Sequence, residues 1–290
     1  MQKLFLVLIT LLFFASNSIL CRLALAKNLI DAYSFTLIRI FSGVIVLSLI
    51  VLIRNRGQFK LAGKFSSGFF LILYALLFSL AYLKIPAATG ALILFGSVQI
   101  TMIGWSLFFG AGPEVNEWIG FILATLGLVY LLFPGIKAPD PLGALCMAFA
   151  GIGWGAYSIL GKKSQNPILD TAGNFTKGLL LLLPTLILAS KYGNLSEHGI
   201  ELAIISGAIT SGLGYSIWYT VLPKIKSTQA AILQLLVPVI AALMGVIILH
   251  ETISSRLLIA GFIIVIGILI TIKKPLKKKT YPLPKSQIHQ

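Results

Sequence analysis

The chain has 290 residues, of which 58% are hydrophobic and only 11% are charged, and its mean hydropathy is +0.97. A water-soluble protein of this length could not bury so much apolar surface, so the composition excludes a soluble globular domain and indicates a membrane protein. The net charge of +15 does not indicate nucleic-acid binding, because most Lys and Arg lie between apolar runs or in the tail "KKPLKKK" at 273–279. Such placement is typical of signals that orient a chain in the membrane.

The apolar runs predict membrane-spanning helices. A helix needs about 20 mostly apolar residues to cross the bilayer, and lipid offers no hydrogen-bond partner to an open strand. We interpret the first run as an uncleaved span, because Leu20 and Arg22 flank Cys21 and disfavour both cleavage and lipidation. Runs between charges, turns and polar clusters predict ten spans, at 4–21, 33–53, 67–83, 86–109, 116–134, 142–161, 171–190, 200–222, 227–249 and 255–272.

The distribution of basic residues predicts the orientation. The amino end, the even-numbered loops and the tail carry more than twice as many Lys and Arg as the odd-numbered loops. Loops rich in Lys and Arg stay in the cytoplasm. We therefore expect a multi-pass protein of the cytoplasmic (inner) membrane with both termini on the cytoplasmic side.

The sequence repeats itself at an offset of 140 residues. "NSILCR" at 17–22 is similar to "YSILGK" at 157–162, "KIPAATGALI" at 84–93 is similar to "KIKSTQAAIL" at 224–233, and Gly127 falls on Gly267. The offset contains five spans, and an odd number inverts the second copy in the membrane. The predicted fold is an all-α membrane protein of ten transmembrane helices in two inverted five-helix repeats. The units are 1–134 and 142–272, followed by a basic cytoplasmic tail at 273–290.

Two stretches resemble the EamA type of the drug/metabolite transporter superfamily. "VPVIAALMGVIILHETISSRLLIAGFIIVIGILI" at 237–270 is similar to the end of a repeat in that family, with Pro238 inside span 9, Glu251 closing it and a glycine-spaced tenth span. "TLIRIFSG" at 36–43 resembles the arginine-bearing second span. The resemblance implies ten helices, with spans 1, 3, 4, 6, 8 and 9 around a central cavity. It also implies transport of metabolites, amino-acid export among them, and makes Pro238 a candidate hinge.

The first half departs from the family pattern. Ser97 and Val98 stand where the proline would be, and the closing glutamate is replaced or displaced to Glu114 or Glu117. The resemblance therefore names no substrate.

Two charged residues lie inside predicted spans. Arg39 is about 9 Å from the outer surface in span 2, and Lys177 lies at a similar depth from the inner surface in span 7. One interpretation is structural, with the side chains reaching the headgroups or binding helix-end carbonyls. The other is functional, as gate elements or as walls that attract an anion.

Amides and aromatic residues supply the other candidate cavity residues. Amides deep in lipid need partners, so they either hold helices together or line a solute cavity. Aromatic rings combine contact area with polar donors and suit an amphipathic metabolite, although packing in the core or against lipid is the alternative. The candidates are Asn17, Tyr82, Gln99, Trp105, Trp154, Tyr157, Trp218 and Gln234.

The acidic residues and histidines all lie in loops or at span ends, so no embedded carboxylate is expected to couple transport to protons. No HExxH, CxxC or deep acid–base pair occurs, so we expect no enzyme, no catalytic residue, no cofactor and no metal. The absence of an ion filter or charged ring and the inverted repeat favour alternating access, and the alternatives are a passive channel or facilitator for small solutes and, with less support, a polytopic membrane enzyme. We predict a secondary transporter of small organic metabolites, exporting amino acids or related polar or amphipathic solutes. Its expected partners are the small-molecule substrate and membrane lipid, without nucleic acid, and we expect a monomer.

Overall fold

A computed structural model describes residues 2–56, 62–109, 115–133, 138–162, 164–221, 234 and 236–272. Throughout these residues the secondary structure is helical, apart from an isolated bridge between Ile30 and Leu195. The helices are α1 (Gln2–Ala26), α2 (Ala32–Arg54), α3 (Phe65–Tyr82), α4 (Ala87–Phe109), α5 (Val115–Leu132), α6 (Pro141–Gly161), α7 (Pro167–Leu182), α8 (Thr185–Tyr192), α9 (Glu197–Ile205), a π-helical segment π1 (Ser206–Leu213), α10 (Gly214–Val221), α11 (Leu236–Leu249) and α12 (Ser255–Ile272).

These helices have the length and composition of a multi-pass membrane protein. Within the described part of the chain, six helices are long and apolar enough to cross a membrane, or seven if the bent pair α7–α8 forms one span. Three shorter apolar helices cover Trp118–Leu131, Leu236–Leu249 and Ser255–Gly267. The prediction of an all-helical membrane protein is confirmed for the described residues, and each of the ten predicted segments overlaps a helix.

Short polar residues and prolines set the helix boundaries. Asp31 precedes α2 and accepts hydrogen bonds from the N–H groups of Tyr33 and Ser34 at 3.0 and 2.9 Å. Asp140 precedes α6 and accepts from Gly143 N–H at 2.8 Å, which lowers the pKa of its carboxyl group below the ordinary value, with a smaller contribution from Lys84. Such caps satisfy N–H groups that lack a partner within the helix.

Pro184 breaks the seventh predicted span. A proline has no N–H to donate, so the hydrogen-bond ladder is interrupted where α7 ends. The helices Pro167–Leu182 and Thr185–Lys191 meet at 57°. The predicted single span at 171–190 is therefore two helices.

Helix α2 shows how the bundle divides between lipid and interior. Phe41, Ile45, Leu49 and Ile53 lie four residues apart and are exposed, as expected of a face that contacts lipid. Arg39 is two residues from Phe41, about 200° around the helix, and is only 1% exposed. The span thus places its apolar stripe outward and its charge among other helices.

Glycines in α6 bring it close to α3 and α4. A Cβ atom on Gly151 would lie 2.6 Å from the carbonyl oxygen of Leu94, and one on Gly153 would lie 3.2 Å from that of Phe70. The contact at Gly151 is too short for a larger residue and the one at Gly153 is tight, so these glycines allow the helices to approach. This packing places Trp154, the next residue in the helix, in the interior.

The central helices surround the middle of the bundle. Helix α6 packs against α3 and α4, while α1 packs against α11 and against the continuous run formed by α9, π1 and α10. Helices α5 and α12 pack against each other on one side, and α2 packs against α7 on another.

Candidate functional site

A small cavity lies among the central helices. Its volume is about 10 Å³, which is room for about one water molecule. Helices α1, α3, α4, α6 and α10 each contribute to its wall. The lining residues are Phe14, Asn17, Tyr74, Phe78, Leu94, Phe95, Trp154 and Tyr215.

Arg39 lies directly behind this wall. Its Nε donates to Oγ of Ser211 at 3.1 Å, and its Nη2 donates to the hydroxyl oxygens of Tyr74 at 3.0 Å and Tyr215 at 3.5 Å. The guanidinium carbon also lies 5.3 and 5.2 Å from the ring centroids of Tyr74 and Phe78. A cation over aromatic faces gains electrostatic stabilisation in a dry environment. Three of these four neighbours line the cavity.

The partners of Arg39 are neutral. Within the described residues no ion pair includes Arg39, and its Nη1 atom has no hydrogen-bond partner. Removing a cation from water is costly unless an opposite charge and hydrogen bonds compensate. The site therefore has a positive charge and spare donor capacity.

Asn17 connects α1 to the π-helical segment next to the cavity. Its Oδ1 accepts from Oγ of Ser206 at 2.5 Å and from Oγ1 of Thr210 at 3.2 Å. Its Nδ2 donates to the hydroxyl oxygen of Tyr74 at 3.3 Å. These two hydroxyl residues of π1 and Ser211 are all buried, and π-helical segments, with their i→i+5 hydrogen bonds, are frequent at functional sites.

Aromatic rings form the rest of the wall. The centroid of the Trp154 ring lies 4.8 Å from that of Tyr215, 5.0 Å from that of Tyr74 and 6.1 Å from that of Phe14. These separations are typical of favourable aromatic pairs. The cavity thus combines an apolar aromatic side with a polar side built around Arg39.

The Arg22 cluster, formed by Arg22, Glu251, Tyr82 and Ala87, lies at the carboxyl end of α3. Arg22 donates from Nε to Oε1 of Glu251 at 3.1 Å and from Nη1 to the carbonyl oxygen of Tyr82 at 2.8 Å. The other carboxylate oxygen of Glu251 accepts from Ala87 N–H, the first residue of α4, at 2.7 Å. One ion pair thus joins the ends of α1, α3, α4 and α11.

The Lys177 cluster lies at the opposite end of α3. Nζ of Lys177 donates to the carbonyl oxygens of Ala62 at 3.1 Å and Gly63 at 2.7 Å, and Oδ1 of Asp170 accepts from Gly63 N–H at 3.1 Å. These bonds attach the segment before α3 to α7. Because α3 has 18 residues, the two clusters are separated by about 27 Å of helix.

Comparisons with known proteins identify the family of this chain. The sequence profile of the EamA-like transporter family matches residues 141–273. The protein PA1977 of Pseudomonas aeruginosa is 41% identical over 256 residues, which cover 88% of this chain and 89% of that protein. The chain belongs to the EamA-like transporter family.

More distant relatives carry the same description. YoaV of Bacillus subtilis, named as a transporter, is 23% identical over a match that covers 81% of this chain and 85% of YoaV. YedA of Escherichia coli, named as an inner membrane transporter, is 24% identical and covers 66% and 64%. A solved crystal structure with 19% identity has a TM-score of 0.59 and covers 90% of this chain and 96% of its own, which shows a common fold.

The structure of this EamA-like protein brings several predicted site residues together. Asn17 and Trp154 line the cavity. Trp218 and Tyr157 form the next layer, with ring centroids 5.8 Å from Phe14 and 5.5 Å from Trp154. The Tyr157 hydroxyl oxygen accepts from Nδ2 of an asparagine in α7 at 3.5 Å.

Tyr82 and Trp105 lie away from the cavity. The Tyr82 hydroxyl donates to the carbonyl oxygen of Ala87 at 3.3 Å, next to the Arg22 cluster. Trp105 is 51% exposed on the surface of the helix bundle, and the centroid of its ring lies 4.3 Å from that of Phe109. It follows the cavity residue Phe95 by ten positions, about 15 Å along α4, so the structure does not bring Trp105 to the cavity.

The two predicted glutamines are both buried. Gln99 is 2% exposed, one turn from Phe95, and its Nε2 atom has no hydrogen-bond partner in the described structure. Gln234 is 6% exposed. Its neighbours 222–233 and 235 lie outside the described residues, so a role at the cavity stays a prediction.

Lys177 binds backbone carbonyl oxygens, and Pro238 borders an apolar groove. The bonds of Lys177 to backbone carbonyls match the structural alternative for that residue. Pro238 lies near the first residues of α11 for which the structure gives a continuous description, and Gln234, four positions earlier, is also helical. The Pro238 ring lines an apolar groove of about 410 Å³ between α4, α11 and α12. The hinge stays a prediction, because the chain before Gln234 lies outside the described residues.

Sequence reasoning missed Tyr74 and Phe78. They occupy one face of α3 with Tyr82, at four-residue spacing, and the ring centroids of neighbouring members lie 5.3 and 4.7 Å apart. An aromatic stripe of this kind inside an apolar span is the signal that could have indicated them.

Proposed function

We propose that this protein is a secondary transporter of the cytoplasmic membrane that exports amino acids or related polar or amphipathic solutes by alternating access. The observation that carries the proposal is the buried polar and aromatic cavity beside Arg39, enclosed between two closures at opposite ends of α3. A cavity among helices, lined by rings and a few convergent polar groups, is the usual form of a small-molecule site. Family membership favours transport over an enzymatic role.

Symmetry between the halves supports the inverted repeat. A Cβ atom on Gly127 would meet Ile264 and Ile263, and one on Gly267 would meet Ala124 and Leu123. Each residue is separated from its counterpart by the same 140-residue offset as the sequence repeat. The crossing of α5 and α12 therefore has equivalent contacts from both sides, as a two-fold relation between the units requires.

Other contacts follow the same offset. Phe14 and Trp154 are counterparts in the repeat, and the centroids of their rings lie 6.1 Å apart beside the cavity. The packing of α6 on α3 and α4 corresponds to the packing of α1 on the α9–π1–α10 run and on α11. Residues that contact their own counterparts lie near a two-fold axis, so this axis would pass close to the cavity. That is where inverted-repeat transporters bind solute.

The two end clusters are candidates for the gates. The basic-residue count assigns the Lys177 cluster to the cytoplasmic side and the Arg22 cluster to the outside. With both clusters formed, a cavity of about 10 Å³ is too small for an organic solute. Solute entry therefore requires one end to open. Opening the ends in turn would give alternating access, whereas a channel needs both open at once.

Counterflow in proteoliposomes tests the proposal. Vesicles containing the purified protein and an unlabelled solute are diluted into labelled solute, with candidates chosen by comparing metabolites of cells that overproduce or lack the protein. A carrier accumulates the label transiently, since internal solute drives exchange, whereas an open pore does not. Asn17→Ala should slow the exchange. Trp105→Phe, on the exposed surface of the helix bundle, is the control and should leave the exchange unchanged. Equilibration without transient accumulation would contradict alternating access.

A further inference from the structure

Hydrogen-bond donors without acceptors accumulate beside the central cavity. Within the described residues Nη1 of Arg39 has no hydrogen-bond partner, although the side chain is only 1% exposed. Buried polar groups in native proteins nearly always have partners. An unpartnered guanidinium nitrogen next to a cavity therefore indicates that an acceptor arrives from elsewhere.

Tyr74 contributes a hydroxyl hydrogen. Its oxygen accepts from Nη2 of Arg39 at 3.0 Å and from Nδ2 of Asn17 at 3.3 Å, which occupies both lone pairs. Neither nitrogen can accept a hydrogen bond in return. The O–H group must then donate to something else, and the Tyr74 ring lines the cavity.

Tyr215 contributes a second hydroxyl hydrogen. Its oxygen accepts from the same Nη2 atom of Arg39 at 3.5 Å, and its ring also lines the cavity. The hydroxyls of Tyr74 and Tyr215 are neighbours, so one can donate to the other. The pair still has one hydrogen left to donate. Because both oxygens accept from a guanidinium, that hydrogen is polarised and is a stronger donor than in a free phenol.

The positive charge of the site also favours a ligand that supplies an acceptor. Arg39 is buried without an ion pair in the described structure, and the described acidic residues lie at helix ends or in loops. An uncompensated buried cation is unfavourable, and a bound anion removes this cost. A solute without an anionic group could accept from the spare donors but would leave the positive charge uncompensated.

We propose that the transported solute carries a carboxylate, which accepts the one hydrogen left over by the Tyr74–Tyr215 hydroxyl pair and a hydrogen bond from Nη1 of Arg39. This inference rests on the proposed transport function and narrows its substrate class. A carboxylate accepts several hydrogen bonds and matches the donor geometry of a guanidinium. The rings of Phe14 and Trp154 border the same cavity and pack against the apolar part of the solute. The solute enters when one end of the bundle opens.

Calorimetric titration of the full-length protein in lipid nanodiscs tests the proposal. The probes are 3-phenylpropanoate, its uncharged amide, and phenylalanine, which has the same ring and carboxylate plus an ammonium group. The two carboxylates should bind, and the amide should bind about 10- to 100-fold more weakly, because it loses a hydrogen bond to a charged acceptor. Binding of only the deaminated acid also supports the proposal, since that probe satisfies Arg39 without adding a second cation.

Variants separate the site from general stability. The double change Tyr74→Phe/Tyr215→Phe removes both hydroxyls, and with them the spare hydrogen, and should weaken binding of 3-phenylpropanoate by about 10-fold or more, with little effect on binding of the amide. Tyr130→Phe removes a tyrosine hydroxyl from the exposed surface of the helix bundle, and this variant should bind 3-phenylpropanoate like the original protein. Arg39→Lys keeps the positive charge but lacks the planar set of guanidinium N–H donors, so it should retain part of the binding. Thermal unfolding of each variant verifies that it is folded.

The outcomes distinguish this inference from the transport proposal. Equal binding of amide and carboxylate, no response to either carboxylate, or unchanged binding by Tyr74→Phe/Tyr215→Phe would overturn the carboxylate site. Counterflow of the amide alone would overturn it too and leave transport intact. A carboxylate that binds as described but shows no counterflow would contradict transport and leave the binding site in place.

Discussion

Glu251→Gln is the most informative single change at the Arg22 cluster. The amide has the same shape as the carboxylate, so its oxygen can still accept from Ala87 N–H, where Glu251 now accepts at 2.7 Å. The ion pair with Arg22 at 3.1 Å is lost, and the NH₂ group then faces the guanidinium. The change therefore removes the bond that joins α1 to α11 and keeps the cap of α4.

The burial of the pair sets the magnitude. The side chains of Arg22 and Glu251 are 19% and 13% exposed, so the pair is neither fully solvated nor fully buried. Exposed pairs contribute about 0–1 kcal/mol, and breaking a buried pair costs about 3–5 kcal/mol. We expect a loss of about 1–3 kcal/mol, which shifts the closed-to-open ratio of this end by about 5- to 150-fold.

Two assays examine this variant. Thermal unfolding in detergent should show a melting temperature several degrees lower, and Glu201→Gln, whose partner His198 is exposed, should show almost no change. Proton flux measured together with solute transport in proteoliposomes should keep its original ratio, because no membrane-embedded carboxylate is expected to carry protons. An unchanged melting temperature would refute the gate argument, and a lost proton coupling would show that Glu251 relays protons.

The remaining predictions concern Arg39, the α5–α12 crossing and Lys177. Arg39→Leu should assemble but transport poorly, while Arg39→Lys should keep part of the activity; normal transport by the leucine variant would make Arg39 an orientation anchor only. Gly267→Ala should lower the melting temperature, at a cost of about 1–3 kcal/mol, because its Cβ would lie 2.6 Å from the backbone nitrogen of Ala124. Gly96→Ala, with 3.6 Å of space, is the control, and equal effects would contradict the close crossing. Lys177→Met should speed hydrogen exchange at residues 62–64 without removing solute binding, and unchanged exchange would contradict the attachment of this segment.

The spans could be predicted because membrane thickness fixes their length and their apolar composition is evident in the sequence. The break at Pro184 was less predictable, since prolines occur both in bent and in nearly straight membrane helices. Arg39, Asn17 and Trp154 could be indicated as candidates because polar and aromatic groups are conspicuous inside apolar runs.

Which residues meet at the site could not be predicted. The hydrogen bonds from Arg39 to Tyr74 and Tyr215 join residues 35 and 176 positions apart, and they depend on how three helices are rotated about their axes. Composition carries little information on that rotation. Trp105 illustrates the same limit, because an aromatic residue in a span can face either the interior or lipid, and this one is exposed.

Cysteine accessibility of the cavity from each side tests alternating access most directly. Leu94→Cys introduces a thiol into the cavity wall, in a background where Cys21 and Cys146 are replaced by alanine. A membrane-impermeant thiol reagent is then applied from either side of oriented vesicles. Combined with Glu251→Gln, the thiol should react only from the outer side, and combined with Lys177→Met, only from the cytoplasmic side. Reaction from both sides in one variant, or from neither side in both variants, would contradict a single site that opens alternately to each face.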